Sequence, residues 1–275
     1  MVRQMIWERN YGDVRYFEMA RSVAGLALRT TGVYVVDGLM VDTGPPNLGR
    51  EFDLWAKDQE VRQVVLTHHH EDHVGNSAAL ERRFGIVPFA SQKALSRLER
   101  PQPLEFYRRL VWGSPRPAKA RLVPPIIETR QFRFRVIDTP GHSEDHICLY
   151  EENRGWLFSG DLYINSRLKY MRADEDVPLL IRSLEKAVAL EPARLFCAHR
   201  GEVAEPRQAL RRKIDYLEEL GGRIRELHRA GLNAEEIRKH LFPAPTLMEI
   251  FTRGHFSRAN FIHAFLREER RDDGS

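Results

Sequence analysis

Apolar residues recur along this chain in two rhythms. Short runs with strand-like spacing fill the first third, beginning with VRYFEMA and then GVYVV and GLMV on either side of Asp37 and Gly38. Two apolar runs joined by Asp-Gly predict a β-hairpin, because both residues tolerate the left-handed backbone of a tight hairpin turn. NLGREFDLWAKD has helical spacing, and VRQVVL predicts a buried strand. NSAALERRFG predicts a further helix, opened by a capping residue and closed by Gly. IVPFA, residues 86–90, predicts a short strand. The proline-dotted stretch 100–125 predicts a short helix around PLEFYRRLVW, set in loops able to cover a site. A second strand block follows in QFRFRVIDTPGHS, HICLYEE and GWLFSGD, with ENRG as a turn. After it come a helix, DVPLLIRSLEKAVAL, a strand, ARLFCAH, and an almost wholly helical tail. The order is therefore sheet with helices, sheet with helices, then helices, with no repeat at a fixed period.

Composition narrows the class. A chain of 275 residues with 42% hydrophobic content can fill the core of one large domain, or of one domain with an appendage. Its mean hydropathy of −0.47 goes with the lack of any apolar run of about 18 residues, so no membrane helix is expected. MVRQMIWERNYGDVRY has no apolar signal region, and the expected compartment is the cytoplasm. The net charge of +4 permits an anionic substrate, but the basic residues form no stripe of the kind that grips nucleic acid. The mixed charge runs read as solvated helix faces. Cys148 and Cys197 lie in apolar runs and are expected to be small buried side chains rather than a disulfide framework.

Candidate chemistry concentrates in VVLTHHHEDHVGN, residues 64–76. His68, His70, Asp72 and His73 spell H-x-H-x-D-H at the end of a predicted strand. On an extended strand, 68 and 70 point the same way, and a tightening loop brings 72 and 73 round as a second cluster. Imidazole and carboxylate are ligand types for zinc or iron, and mixed sites with an open position are catalytic. At this chain's own His and Asp frequencies the pattern arises by chance in roughly one chain in a thousand. His142, Asp161 and His199 stand at the ends of three further predicted strands, where loops on a rigid scaffold carry function.

The pieces VDTG (41–44), THHHEDHVGN (67–76), TPGHS (139–143), SGD (159–161) and AHRG (198–201) together resemble the metallo-β-lactamase-fold hydrolases, a group that includes glyoxalase II-like and lactamase-β-like proteins. The resemblance implies an α/β fold: a four-layer αββα sandwich in residues 1–204, with a helical C-terminal extension, 205–275, packed on it. It also implies two divalent metal ions, zinc first, with iron or manganese as alternatives. His68, His70 and His142 would hold one ion and Asp72, His73 and His199 the other, with Asp161 bridging. A shared water, deprotonated near neutral pH, would then attack a carbonyl or phosphorus centre. Asp72 and Tyr163 are the candidate catalytic residues, Tyr163 either as a hydrogen-bond donor like the tyrosine of the similar lactonases or as part of an exposed loop.

Other residues carry weaker expectations. His69 and Glu71 alternate away from the ligands, toward supporting or surface positions. Asp42 either orients a ligand histidine or forms a turn. His146 is expected to brace the His142 loop. His228, His240, His255 and His263 are expected on tail helices, at the surface or packed. Arg167, Lys169 and Tyr170 either hold an anionic group or belong to an exposed loop. SGDLYINSRLKYM lacks the Gly-Cys-Gly-Arg stretch associated with glutathione-thioester binding at this place.

The expected function is hydrolysis of an ester, thioester or lactone bond in a small, anionic molecule. The alternative is a metal-dependent phosphodiesterase or endoribonuclease of the lactamase-β-like kind, whose helical tail 205–270 resembles. Against it, the tail has no dense Lys/Arg patch interleaved with aromatics. A non-enzymatic binding protein is opposed by the complete set of seven ligands. LMEIF and NFIHAFL either form a homodimer face or dock on the sandwich.

Overall fold

The alternating segments of the first third assemble into a seven-stranded mixed sheet in the computed structural model, which describes residues 2–23 and 26–272. Its strands lie side by side in chain order: β1 (Val2–Tyr11), β2 (Val14–Val23), β3 (Leu26–Val36), β4 (Leu39–Val41), β5 (Gln63–Val65), β6 (Phe89–Ala90) and β7 (Arg121–Leu122). Pairing is antiparallel from β1 to β4 and parallel from β4 to β7. Parallel neighbours need long crossovers. Here these hold α1 (Gly49–Ala56), α2 (Glu71–Val74), α3 (Ser77–Phe84), α4 (Gln92–Glu99) and α5 (Phe106–Val111). The Asp-Gly hairpin forms as predicted: Asp37 and Gly38 have φ of 44° and 79°, and Val36 faces Leu39 across the turn. The helices predicted at 47–58, 76–85 and around 103–112 appear as α1, α3 and the shorter α5. Asn76 makes no side-chain cap on α3; its amide donates instead to the carbonyls of Thr43 and Pro45.

The second sheet comprises β8 (Ile126–Glu128), β9 (Arg133–Asp138), β10 (Ile147–Glu151) and β11 (Trp156–Gly160). After β12 (Met171–Arg172) and α6 (Val177–Ala189) it gains β13 (Arg194–Cys197) and β14 (Gly201–Val203), in the order β14-β13-β11-β10-β9-β8. The rest is α7 (Pro206–Arg229), α8 (Ala234–Leu241), α9 (Leu247–Phe251), β15 (Phe256–Ser257) and α10 (Ala259–Asp272). Among the described residues no helix is long and apolar enough to cross a membrane.

The chain forms two compact units. The first holds residues up to Asp138, Asp145–Ile164 and Pro192–Ala204; the second holds Thr139–Glu144, Asn165–Glu191 and everything from Glu205 on. In the first unit the period of two sends Tyr34 and Val36 to one face of the first sheet and Val33 and Val35 to the other. Tyr34 and Val36, with Tyr16 and Val65, meet Phe134, Leu149, Phe158 and Phe196 of the second sheet. Val33 and Val35, with Met19 and Leu66, are covered by Phe52 of α1, Leu80 of α3 and Leu98 of α4.

Two phenols cross the layer between the sheets. Tyr16 Oη donates to the Ala198 carbonyl at 3.2 Å and Tyr34 Oη to the Cys197 carbonyl at 2.6 Å, which pins the end of β13. Burial pushes both hydroxyls well above the ordinary tyrosine pKa, so they stay donors. The Tyr16 ring fits only because residue 32 is glycine: a Cβ there would lie 1.8 Å from Tyr16 Cε2.

In the second unit α6, α7, α8 and α10 pack on one another, and Gly221 of α7 admits the Phe265 ring of α10, 2.6 Å from where a Cβ would stand. His228, His240 and His263 lie on helices as predicted, whereas His255 lies in a bend just before β15, after α9 has ended at Phe251 and Arg253 and Gly254 have turned left-handed, with φ of 52° and 82°.

Gly32→Ala is expected to lose about 1–3 kcal/mol of unfolding free energy through this overpacking, measured by urea denaturation.

Candidate metal centre

The site begins where β5 ends. Leu66 N still bonds across to Phe89 O, and Thr67 N donates to Asp42 Oδ1 at 2.7 Å. The chain bends at Thr67 and His69 and reaches His70, which has extended backbone (φ −65°, ψ 146°) at the N-cap of the single helical turn of α2. The turn brings His73 beside His68, with ring centroids 4.1 Å apart. His68 Nε2 and His70 Nδ1 face each other 2.8 Å apart. Asp161, just past β11, and His199, just past β13, complete the cluster in the first unit.

Distances define two overlapping groups. His68, His70 and Asp161 offer ligand atoms within 4.8 Å of one another, as do Asp72, His73 and His199. Asp161 also belongs with the second group: its Oδ1 lies 3.1 Å from His199 Nε2 and 3.5 Å from His73 Nε2. Asp72 Oδ2 lies 3.5 Å from His199 Nε2 and 3.6 Å from His73 Nε2. Atoms held about 2.1 Å from one tetrahedral ion lie roughly 3.4 Å apart, so the spacing suits a shared cation. His73 Nε2 is fully buried with no hydrogen-bond partner among the described residues, which a coordinated ion would remedy.

The ring nitrogens that face away are held. Asp42 Oδ2 accepts from His73 Nδ1 at 2.7 Å, and the Thr30 carbonyl accepts from His199 Nδ1 at 2.6 Å. Both bonds fix the tautomer that leaves Nε2 a lone pair for a ligand. Asp42 thus orients a histidine, and with φ of 63° it also makes the left-handed turn, so both sequence readings apply. His146 Nε2 accepts from Asp161 N at 3.1 Å, which places it behind the central carboxylate.

The intervening residues are better engaged than strand alternation suggested. His69 meets the Asp145 carboxylate with its backbone N and its Nδ1, each at 2.8 Å, and Arg97 of α4 donates to its Nε2. Glu71 is buried, and Arg108 of α5 binds both its carboxylate oxygens. Asp145 and Arg108 were not singled out from sequence; Arg108 lies 37 residues from its partner in a loop region without periodicity. In the second unit His142 Nδ1 donates to Glu175 at 2.9 Å, and the Gly141 carbonyl accepts from Asp176 N. Tyr163 is buried two residues past Asp161, Arg167 and Lys169 are exposed, and the Tyr170 ring packs edge-on against Phe256.

Electrostatics in the cluster favour bound protons or cations. Burial lowers the pKa of His199, but the Asp161 and Asp72 carboxylates outweigh it and push it up to about 9. His73 is likewise depressed by burial and raised further by Asp72, Asp161 and Asp42, ending well above the ordinary imidazole value. Burial raises Asp161, yet His199 and His73 pull it well below the usual carboxylate range. Protons therefore occupy at neutral pH the nitrogens that a metal would need.

Buried histidines and carboxylates are thus gathered beyond the strand ends of two β-sheets packed face to face. Residues 29–199 match the metallo-beta-lactamase superfamily, and the chain belongs to that family. It is 25% identical over 204 residues to the beta-lactamase-like protein 2 homolog of Drosophila melanogaster, covering 66% of this chain and 63% of that one. It is 29% identical over 174 residues to a hydroxyacylglutathione hydrolase of Chelativorans sp., covering 61% of this chain and 60% of that one. The matches thus span under two thirds of either relative's length. A metallo-beta-lactamase family protein of Thermus thermophilus shares the fold, with a TM-score of 0.63 at 22% identity over 98% of this chain and 93% of that one.

Asp42→Ala is expected to weaken metal binding by about 10- to 100-fold, read by competition with a chromophoric chelator. Because the Asp161 and Asp72 carboxylates push His199 up to about 9, metal uptake at pH 7 should release protons, and less so at pH 10; calorimetry in buffers of different ionisation enthalpy measures the difference.

Proposed function

We propose that the protein is a two-metal hydrolase cleaving an ester, thioester or lactone bond of a small, anionic molecule. His68, His70 and His142 would hold one ion, zinc first among the candidates, and Asp72, His73 and His199 the other, with Asp161 as a further ligand. The observation that carries this reading is the placement of Asp161, whose carboxylate is within ligand distance of both groups. Two divalent cations, when bound there, would lower the pKa of a water toward neutrality and act as Lewis acids toward a carbonyl.

The chain's own residues do the rest. Asp42 and the Thr30 carbonyl hold two imidazoles in the ligating tautomer, and His146 holds the Asp161 backbone. Burial of His68, His70, Asp72, His73 and Asp161 keeps bulk water away, which strengthens each charge interaction. Tyr163 donates a hydrogen bond to the developing oxyanion, and Arg167 and Lys169 attract the anionic end of the substrate. Residues 1–204 carry the chemistry and 205–275 form the helical extension. The family relative described as a hydroxyacylglutathione hydrolase makes thioesters the first substrates to test.

Purified, metal-analysed protein should carry two ions per chain and hydrolyse members of a panel of S-lactoylglutathione, acyl-CoA and lactones. Asp72→Ala and His142→Ala should each lower kcat/KM by at least about 100-fold together with metal content. If both variants leave metal content and every activity unchanged, the assignment is wrong. Cleavage of single-stranded RNA by a protein inert toward the panel would establish the phosphodiesterase alternative instead.

A further inference from the structure

We propose that Glu71 and Arg108 form a positioning clamp that fixes α5 beside the metal centre, and that Trp112, held by this clamp, is the wall that selects substrates bearing an apolar planar or acyl group next to the scissile bond. The second half rests on the hydrolase reading above; the clamp itself does not.

Glu71 stands between two candidate ligands, His70 and Asp72, yet it is not available as a third. Its side chain is 2% exposed, and both oxygens are taken by Arg108 Nε, at 2.8 Å, and Nη2. The Arg108 side chain is itself only 12% exposed, and its Nη1 reaches Glu105 at 3.4 Å. A buried two-point guanidinium–carboxylate pair fixes direction as well as distance, which a lysine does not do. Burying such a pair is no efficient way to stabilise a fold, so its use here points to geometry.

The other end of α5 is tied to the same structure from a different side. Asn47 N donates to the Trp112 carbonyl at 3.1 Å and Asn47 Nδ2 to the Val111 carbonyl at 2.7 Å. Asn47 belongs to the loop after Asp42, whose Gly44 carbonyl accepts from Gly75 N at the end of α2. Gly113, with φ of 93°, lets the chain leave this contact; a Cβ there would crowd Asn47 and Pro46 at 3.2–3.3 Å. Thus α5 is fastened at Arg108 to the segment carrying Asp72 and at its end to the segment carrying Asp42.

What this fastening holds in place is Trp112. Its ring centroid is 6.4 Å from that of His199, and the residue is partly exposed. Indole offers apolar area with little rotamer entropy to lose, which suits it to meeting an apolar group. In a cluster otherwise made of imidazoles and carboxylates, it favours substrates that join a polarised carbonyl to an apolar substituent.

The test compares Arg108→Ala, Arg108→Lys, Trp112→Phe and Trp112→Ala with the full-length wild type, with metal content and circular dichroism checked for each. Cobalt(II) at the centre should quench the Trp112 share of the tryptophan fluorescence. Trp112→Phe should abolish that share, Arg108→Ala should reduce it by at least half with metal content intact, and Arg108→Lys should fall between. With thioesters of one leaving group, Trp112→Ala and Arg108→Ala should raise KM for a phenylacetyl substrate by about 10-fold, raise it less than about 2-fold for an acetyl substrate, and leave kcat nearly unchanged. Wild-type quenching and unchanged selectivity in Arg108→Ala would overturn the clamp, as would loss of metal from that variant to the extent seen in Asp72→Ala. If the wild type hydrolyses no substrate, the hydrolase reading fails by itself; quenching then decides the clamp, its loss in Arg108→Ala supporting it and its persistence refuting it.

Discussion

A buried carboxylate must be met by donors or it costs several kcal/mol, and in this protein that requirement falls on Asp42. It is 2% exposed and accepts from Thr67 N, Thr67 Oγ1 and His73 Nδ1. Those three bonds join the end of β4 to the loop beyond β5, whose strands are already in register through Val41 and Val65. They also decide which nitrogen of His73 is left to face Asp72 and Asp161. The position of the cluster on the sheet and the chemical state of one of its rings therefore depend on the same side chain.

The cluster is then held from several directions at once. The two phenols between the sheets set the end of β13, and with it His199; the Thr30 carbonyl sets that ring. His146 sets Asp161 by a backbone bond, and Asp145 with Arg97 sets His69. None of these supports has to contact a reacting molecule. Each removes a rotation or a tautomer that a loosely held side chain would keep, so the acids and imidazoles are pre-arranged around the space a cation would fill. Their mutual attraction explains the opposite displacements of the histidine and aspartate pKa values: His73 and His199 take up protons more readily because the Asp161 and Asp72 carboxylates lie beside them.

The crossover helices serve this arrangement as well as the core. α1, α3 and α4 bury apolar residues against the first sheet, whereas α5, which buries Tyr107, is also tied down by directional polar contacts through Arg108, Val111 and Trp112. A segment bound by directional contacts can be altered in its exposed residues without disturbing the core. That is a physical reason for expecting selectivity, rather than the metal site itself, to reside there.

Much of this was determined by the sequence alone, and for local reasons. The Asp37-Gly38 hairpin follows from two residues that accept left-handed backbone, the strand and helix blocks follow from side-chain periodicity, and H-x-H-x-D-H follows from an extended segment running into one helical turn. Short or polar elements were less legible: β1 begins with the mixed run VRQMIWERNY, and α4 buries only Ala94 and Leu98. His255 lies outside its expected helix because α9 stops at Phe251 and the chain turns left-handed at Arg253 and Gly254. Tertiary structure alone decided that Glu71 belongs to Arg108, that His69 belongs to Asp145, 76 residues away, and that Asp42 both turns the chain and orients His73. Those pairings join segments with no common period, and only the packing of sheets and crossovers brings them within hydrogen-bond reach.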